Sequence, residues 1–181
     1  MQRFILTVAA LLAVLVPAGA AAAAAPGPAA PPAMFGANES RTGHYVSPAV
    51  PAPVQVLWRF RTDDRVESSP AVAGGIVYVG SNDDHLYAID ARTGVERWRL
   101  KTDKDVSSSP AVVGGIVYVG CDDAHLYAVD AARGVERWRF KADGDINTPP
   151  AVAGGLVFFG SDDDSVYAVD AATGVARWRI E

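Results

Sequence analysis

A chain of 181 residues with 16 basic and 21 acidic side chains has a net charge of -5. That balance excludes the basic footprint with which nucleic-acid binders neutralise phosphates, so no nucleic-acid partner is expected. The single cysteine, Cys121, excludes an internal disulfide and any zinc cluster built from cysteines.

The first element in the chain is expected to be an export signal over residues 1–20. Arg3 gives a short positive start, Phe4 to Val16 an apolar core, and "PAGA" (Pro17 to Ala20) the small residues that a signal peptidase needs. An uncleaved anchor is the alternative, since the apolar stretch extends to Ala25. Alanine and glycine contribute little transfer energy, however, and Pro17 interrupts the run. No cysteine directly follows the apolar core, so a lipoprotein-type attachment is not encoded there. The mature protein is expected in the periplasm, the cell envelope or the medium, without a membrane span. Residues 21–33, "AAAAAPGPAAPPA", offer no aromatic or β-branched side chain to bury and are expected to form a disordered linker.

Residues 34–181 are expected to fold as one domain. Its tryptophans stand at 58, 98, 138 and 178, a period of 40. Residues 61–100, 101–140 and 141–180 repeat one text, and "SSPAVAGGIVYVGSNDDHLYAIDARTGVERW" is its first copy. A period of this length means a solenoid, propeller or array in which each unit buries its faces only against its neighbours. Within a unit, turn signals separate four short strands. Pro70 to Ala73 end at Gly74-Gly75, a hairpin signal. Ile76 to Val79 are continuously apolar, as in a strand covered on both faces. "GSNDD" leads into His85 to Ile89, and "DARTG" into Val95 to Leu100. The prediction is an all-β partial β-propeller of three four-stranded blades, with an extra outer strand over about 54–60 around Trp58.

"AIDARTGVERW" contains a device for joining blades. Asp90 is expected to accept hydrogen bonds from the turn's N–H groups, and Gly94 to take the left-handed conformation that closes it. Trp98 on the outer strand is then expected to lay its ring on the next blade, its N–H bonded to a backbone acceptor. The text Ala88, Asp90, Thr93, Gly94, Trp98 returns as Ala168, Asp170, Thr173, Gly174, Trp178. The middle copy, Ala128, Asp130, Gly134, Trp138, has Arg133 where threonine stands in the others.

This A-x-D-x-x-T-G-x-x-x-W pattern resembles the tryptophan-docking motif of the pyrroloquinoline-quinone-type propeller repeats, and the upstream "SSPAV…GGIVYVGS" is similar to the same family. The resemblance covers residues 54–181 and extends to "MFGANESRTG" at 34–43. It implies a propeller, and for some members a quinone-dependent dehydrogenase with a closed ring of eight blades, a calcium ion, an aspartate base and, in many, two adjacent cysteines. Three repeats and one cysteine fall short of that set, since seven or eight blades need roughly 280–320 residues. No catalytic, metal or cofactor-binding residue is therefore nominated, and pyrroloquinoline quinone enters only as what the resemblance implies.

Other clusters have a plainer explanation. "SNDDH" and "SDDDS" gather carboxylates, yet lack the alternating ligands and distant glutamate of a calcium loop, and such residues are ordinary in turns. His85 and His125 hold equivalent places without a third ligand for zinc. Cys121 replaces Ser81 and Ser161, a tolerated substitution or a reactive thiol. Arg97, Arg99, Arg137, Arg139, Arg177 and Arg179 line the outer strands, either as a solvated edge or as a row that recognises an acidic partner. The expected function is an exported, non-catalytic scaffold, resembling the propeller subunit of the outer-membrane β-barrel assembly machinery. The open blade faces of three repeats fit a truncated propeller or a short degenerate paralogue, then self-association, or a protein partner that covers them. A quinone dehydrogenase or a fragment of one, and a small-molecule or carbohydrate binder, are the alternatives.

Overall fold

The alternating turn and strand signals fold as twelve strands and no helix in a computed structural model that describes residues 56–181. The expected signal, the linker and the segment 34–43 lie outside the described residues. The first blade contains β1 (Ala71–Ala73), β2 (Ile76–Ser81), β3 (His85–Asp90) and β4 (Glu96–Lys101). The second contains β5 (Ala111–Val113), β6 (Ile116–Gly120), β7 (His125–Asp130) and β8 (Glu136–Lys141). The third contains β9 (Ala151–Ala153), β10 (Leu156–Ser161), β11 (Ser165–Asp170) and β12 (Ala176–Ile180). Each is an antiparallel sheet whose spatial order follows the chain. The all-β propeller architecture expected from the repeat is thus present.

Turn chemistry sets the register. Gly74 and Gly75 have φ of 56° and 77°, and they join Ala73 to its partner Ile76. Two successive left-handed residues make a type I′ turn, whose twist matches that of the strands it connects. The three inner strands hold small residues and lie side by side, β1 against β5 and β5 against β9. Small side chains suit this crowded place.

Each blade is apolar on both faces because it is sandwiched. Alternation sends Tyr78, Leu86, Ala88 and Trp98 of the first blade to its trailing face, toward the second blade. Val77, Val79, Tyr87 and Ile89 go to the leading face. The trailing face of the first blade meets Val106, Val112, Val117 and Tyr127 of the second repeat in one cluster. The trailing face of the second blade meets Ile146, Val152, Val157 and Tyr167 in another. Leu86 and Leu126, fully buried at these joints, each contribute roughly 2 kcal/mol of burial.

Residues 56–60, expected within an outer strand, form no strand. A strand needs ladder partners, and no described strand pairs its backbone with this segment. Side chains hold it instead. Trp58 and Phe60 pack on Val79, Tyr87 and Ile89, covering part of the first blade's leading face.

Candidate functional site

The recurring constellation is the joint between blades, built from two copies of the motif rather than one. Ala88 pairs with Trp98 across β3 and β4, and Ala128 with Trp138 across β7 and β8. These alanines are fully buried, and their lack of bulk leaves the indole room to reach past its own sheet. Trp98 Nε1 donates to the Ala131 carbonyl at 3.0 Å, and Trp138 Nε1 to that of Ala171 at 3.2 Å. Trp58 Nε1 donates to Ala91 at 2.9 Å. Each indole lies over the glycine of the following turn. A side chain on Gly94 would meet Trp58 at 2.7 Å, one on Gly134 would meet Trp98 at 2.6 Å, and one on Gly174 would meet Trp138 at 2.6 Å. Glycine is thus needed twice there, for its φ near 70° and for the ring above it. Trp178 and Ala168 are paired in the same way, with no further turn beyond them among the described residues.

The aspartate organises the turn that forms the seat. Asp90 Oδ1 accepts from the Arg92 and Thr93 backbone N–H groups and from the Thr93 hydroxyl, at 3.1, 2.9 and 2.9 Å. Asp170 repeats the set with Ala172 and Thr173. Asp130 keeps only the two backbone bonds, because Arg133 supplies no hydroxyl. The second carboxylate oxygen holds an arginine seven residues on: Arg97 at 2.6 Å, Arg137 at 2.7 Å, Arg177 at 2.7 Å. A bulge between Ala88 and Ile89 shifts the register from Trp98 to Glu96, and so re-aims Arg97. The arginine partner and the threonine hydroxyl hold the Asp170 carboxyl down at about 2, and Asp90 lower still.

The remaining arginines also have carboxylates: Arg99 with Glu96, Arg139 with Glu136 and Arg179 with Asp143. The outer row therefore has its charge matched within the chain. The turn carboxylates of "SNDDH" and "SDDDS" act as staples. Asp83 accepts from the Asp63 N–H at 2.9 Å and the Tyr87 hydroxyl at 2.8 Å. Asp123 with Tyr127 and Asp163 with Tyr167 repeat the pair at 2.6 Å. Burial and the bond to Asp83 push the Tyr87 phenol up to about 12. Cys121 is buried, its thiol donating to the Lys104 carbonyl, and burial raises it to about 12. A thiol so held is a poor nucleophile.

The arginine pairing and the tyrosine staple were missed from the sequence, although the signal was present. Aspartate and arginine recur seven apart in all three copies, and aspartate and tyrosine four apart.

A cleft of about 520 Å³ opens between the first two blades beside Ile76, Tyr78 and Trp98, and its Arg97 and Arg137 are already paired with motif aspartates. Among the described residues, no three His, Cys, Asp or Glu side chains converge as a metal site requires.

The family model for outer membrane protein assembly factor BamB matches residues 51–107 and 93–181. No curated protein matches the chain. Among solved structures, BamB from Moraxella catarrhalis superposes with a TM-score of 0.62 at 23% identity, over 69% of this chain and 40% of that one. Quinohemoprotein alcohol dehydrogenase from Comamonas testosteroni gives 0.70 at 28% identity, over 81% and 26%. A europium-containing methanol dehydrogenase gives 0.71 at 21% identity, over 81% and 31%. The chain spans less than half the length of each. With the three motif copies and the family match together extending over residues 51–181, the chain belongs to the pyrroloquinoline-quinone-type propeller-repeat family typified by BamB.

Proposed function

We propose that the chain is an exported, non-catalytic scaffold of the cell envelope or the extracellular medium, which binds other proteins through its blade surfaces. One observation carries this reading. Residues of the kind that build the internal joints, Val72, Val166 and Ile180, stand exposed, while the charged groups beside the joints are paired within the chain. Apolar surface of that kind favours a protein partner over a charged ligand. The family's description as an assembly factor supports it. Export rests on the signal text at 1–20.

A photo-cross-linking residue placed at Val95 or Val166 tests the reading in cells. A defined adduct with another envelope protein is expected, and Ile180→Asp, at the strand partner of Val166, should abolish the adduct formed at Val166 or reduce it severalfold. Adducts absent, or formed only with the chain itself, would remove the scaffold role toward other proteins. The 28% identity with a quinohemoprotein alcohol dehydrogenase favours a second reading, a quinone-binding propeller or a part of one. It requires an absorbance change on adding pyrroloquinoline quinone with calcium, and dye-linked alcohol oxidation. Purified chain that shows neither is not such an enzyme.

A further inference from the structure

The three apolar clusters are joints of one kind, and their residues can be followed at intervals of 40. Leu86, Trp98 and Leu100 meet Val106, Val112 and Tyr127 at the first internal joint. Leu126, Trp138 and Phe140 meet Ile146, Val152 and Tyr167 at the second. On the leading face of the first blade, Trp58 and Phe60 take the places of Trp98 and Leu100. This substitute is incomplete. Val66 is 49% exposed where Val106 and Ile146 are fully buried, and Val72 is exposed where Val112 and Val152 are buried.

The trailing face of the third blade has the opposite half of the same joint. Val166 is 48% exposed where Leu86 and Leu126 are fully buried, and Trp178 and Ile180 are exposed beside it. The free indole nonetheless keeps the docked pose. Trp178 lies 5.8 Å from Phe158 at 44°, against 5.8 Å and 45° for Trp98 on Tyr78 and 5.8 Å and 46° for Trp138 on Tyr118.

We infer that the third blade's trailing face docks on the first blade's leading face in a second copy of this chain, Trp178 entering the seat that Trp58 fills within one copy. The inference goes beyond the scaffold reading and does not rest on it: it gives the exposed Val72, Val166 and Ile180 a second copy as their partner, so that a cross-link from Val166 to the chain itself would agree with it. The described residues of two copies joined reciprocally supply six blades, within the four to eight at which propellers close. Head-to-tail contacts that close by rotation give a ring rather than a filament. Trp58 is the displaceable occupant, since residues 56–60 have no strand pairing and are held by side chains. Trp178 and Ile180 replace those contacts in kind. Phe158 lacks the hydroxyl with which Tyr78 and Tyr118 bond the next turn, so the new joint keeps the indole bond alone.

Glycines supply a test that spares the fold. A methyl on Gly80 would collide with the Val106 carbonyl, and one on Gly120 with that of Ile146, across the internal joints. At Gly160 the same methyl meets only Thr148, at 3.5 Å. In the proposed joint Gly160 faces Val66 of the second copy. Sedimentation velocity over a dilution series, on chain purified from an exporting host, should find a dimer. Gly160→Ala should weaken association by about 30-fold or more, as should Trp178→Ala, with the circular dichroism unchanged. Trp58→Ala should tighten association by vacating the seat. Wild-type chain that stays monomeric throughout, or a Gly160→Ala chain that dimerises like wild type, overturns the inference. Either result leaves the scaffold reading to be judged by its cross-links to other proteins.

Discussion

Trp98 donates its indole N–H to the carbonyl of Ala131, 33 residues further along and in the next blade. Trp138 and Ala171 repeat the relationship at the same separation. Trp98→Ala should therefore destabilise the chain by about 3 kcal/mol, from lost ring burial and from one of the two hydrogen bonds that the Ala131 carbonyl accepts, the Tyr78 hydroxyl keeping the other. Trp178→Ala, at a ring with no seat among the described residues, should cost under about 1 kcal/mol in the monomer. Urea unfolding at a concentration that keeps the chain monomeric checks both, and equal losses would contradict the assignment of the joints.

Glycines of equal φ should differ in what they tolerate. Gly75 and Gly134 have φ of 77° and 68°, but nothing lies within 4 Å of a side chain at Gly75, whereas Trp98 stands 2.6 Å away at Gly134. Gly75→Ala should cost about 1–2 kcal/mol, the backbone penalty alone. Gly134→Ala should cost more, because the indole must leave its seat as well. Thermal unfolding of the two variants side by side measures the difference.

Ala124 holds a left-handed backbone at φ 68°, where Asp84 and Asp164 stand in the other copies. Aspartate tolerates that region through local hydrogen bonds, and alanine has none to offer. Ala124→Gly should raise stability by about 1 kcal/mol and the melting midpoint by about 3 °C. Calorimetry checks it.

Acid should loosen the turns in a defined window. The Asp170 carboxyl is depressed to about 2 by Arg177 and Thr173, against about 3.9 in an unfolded chain. A depressed carboxyl contributes stability fully above the unfolded value, and that stability is lost as pH falls through the folded one. Stability should fall between about pH 4 and pH 2, and Asp170→Asn should flatten that part of the profile. Chemical unfolding at a series of pH values measures this slope, and added salt should shrink it, since the pair is exposed.

Most of the architecture was legible because the repeat states it three times. Gly-Gly pairs place the hairpins, continuous apolar runs mark strands covered on both faces, and the 40-residue interval makes blades. Residues 56–60 misled for a physical reason. "VLWRF" has the side-chain pattern of "ERWRL", but a strand also needs neighbours for its backbone, which pattern does not encode. The motif's division of labour was only half legible. Sequence order put Gly94 and Trp98 in one device, while space puts Gly94 beneath Trp58 and Trp98 above Gly134. The bulge that turns Arg97 onto Asp90 is a matter of register, invisible in an alternation of charged and apolar residues.

The seats at Gly134 and Gly174 are each made by one repeat and filled by the repeat before it, so both internal joints follow one plan. A gene encoding such a chain is able to gain or shed whole 40-residue modules by unequal exchange without inventing a new interface. Each added module would then bring one further joint of the same plan, while the two end faces stay the same in kind.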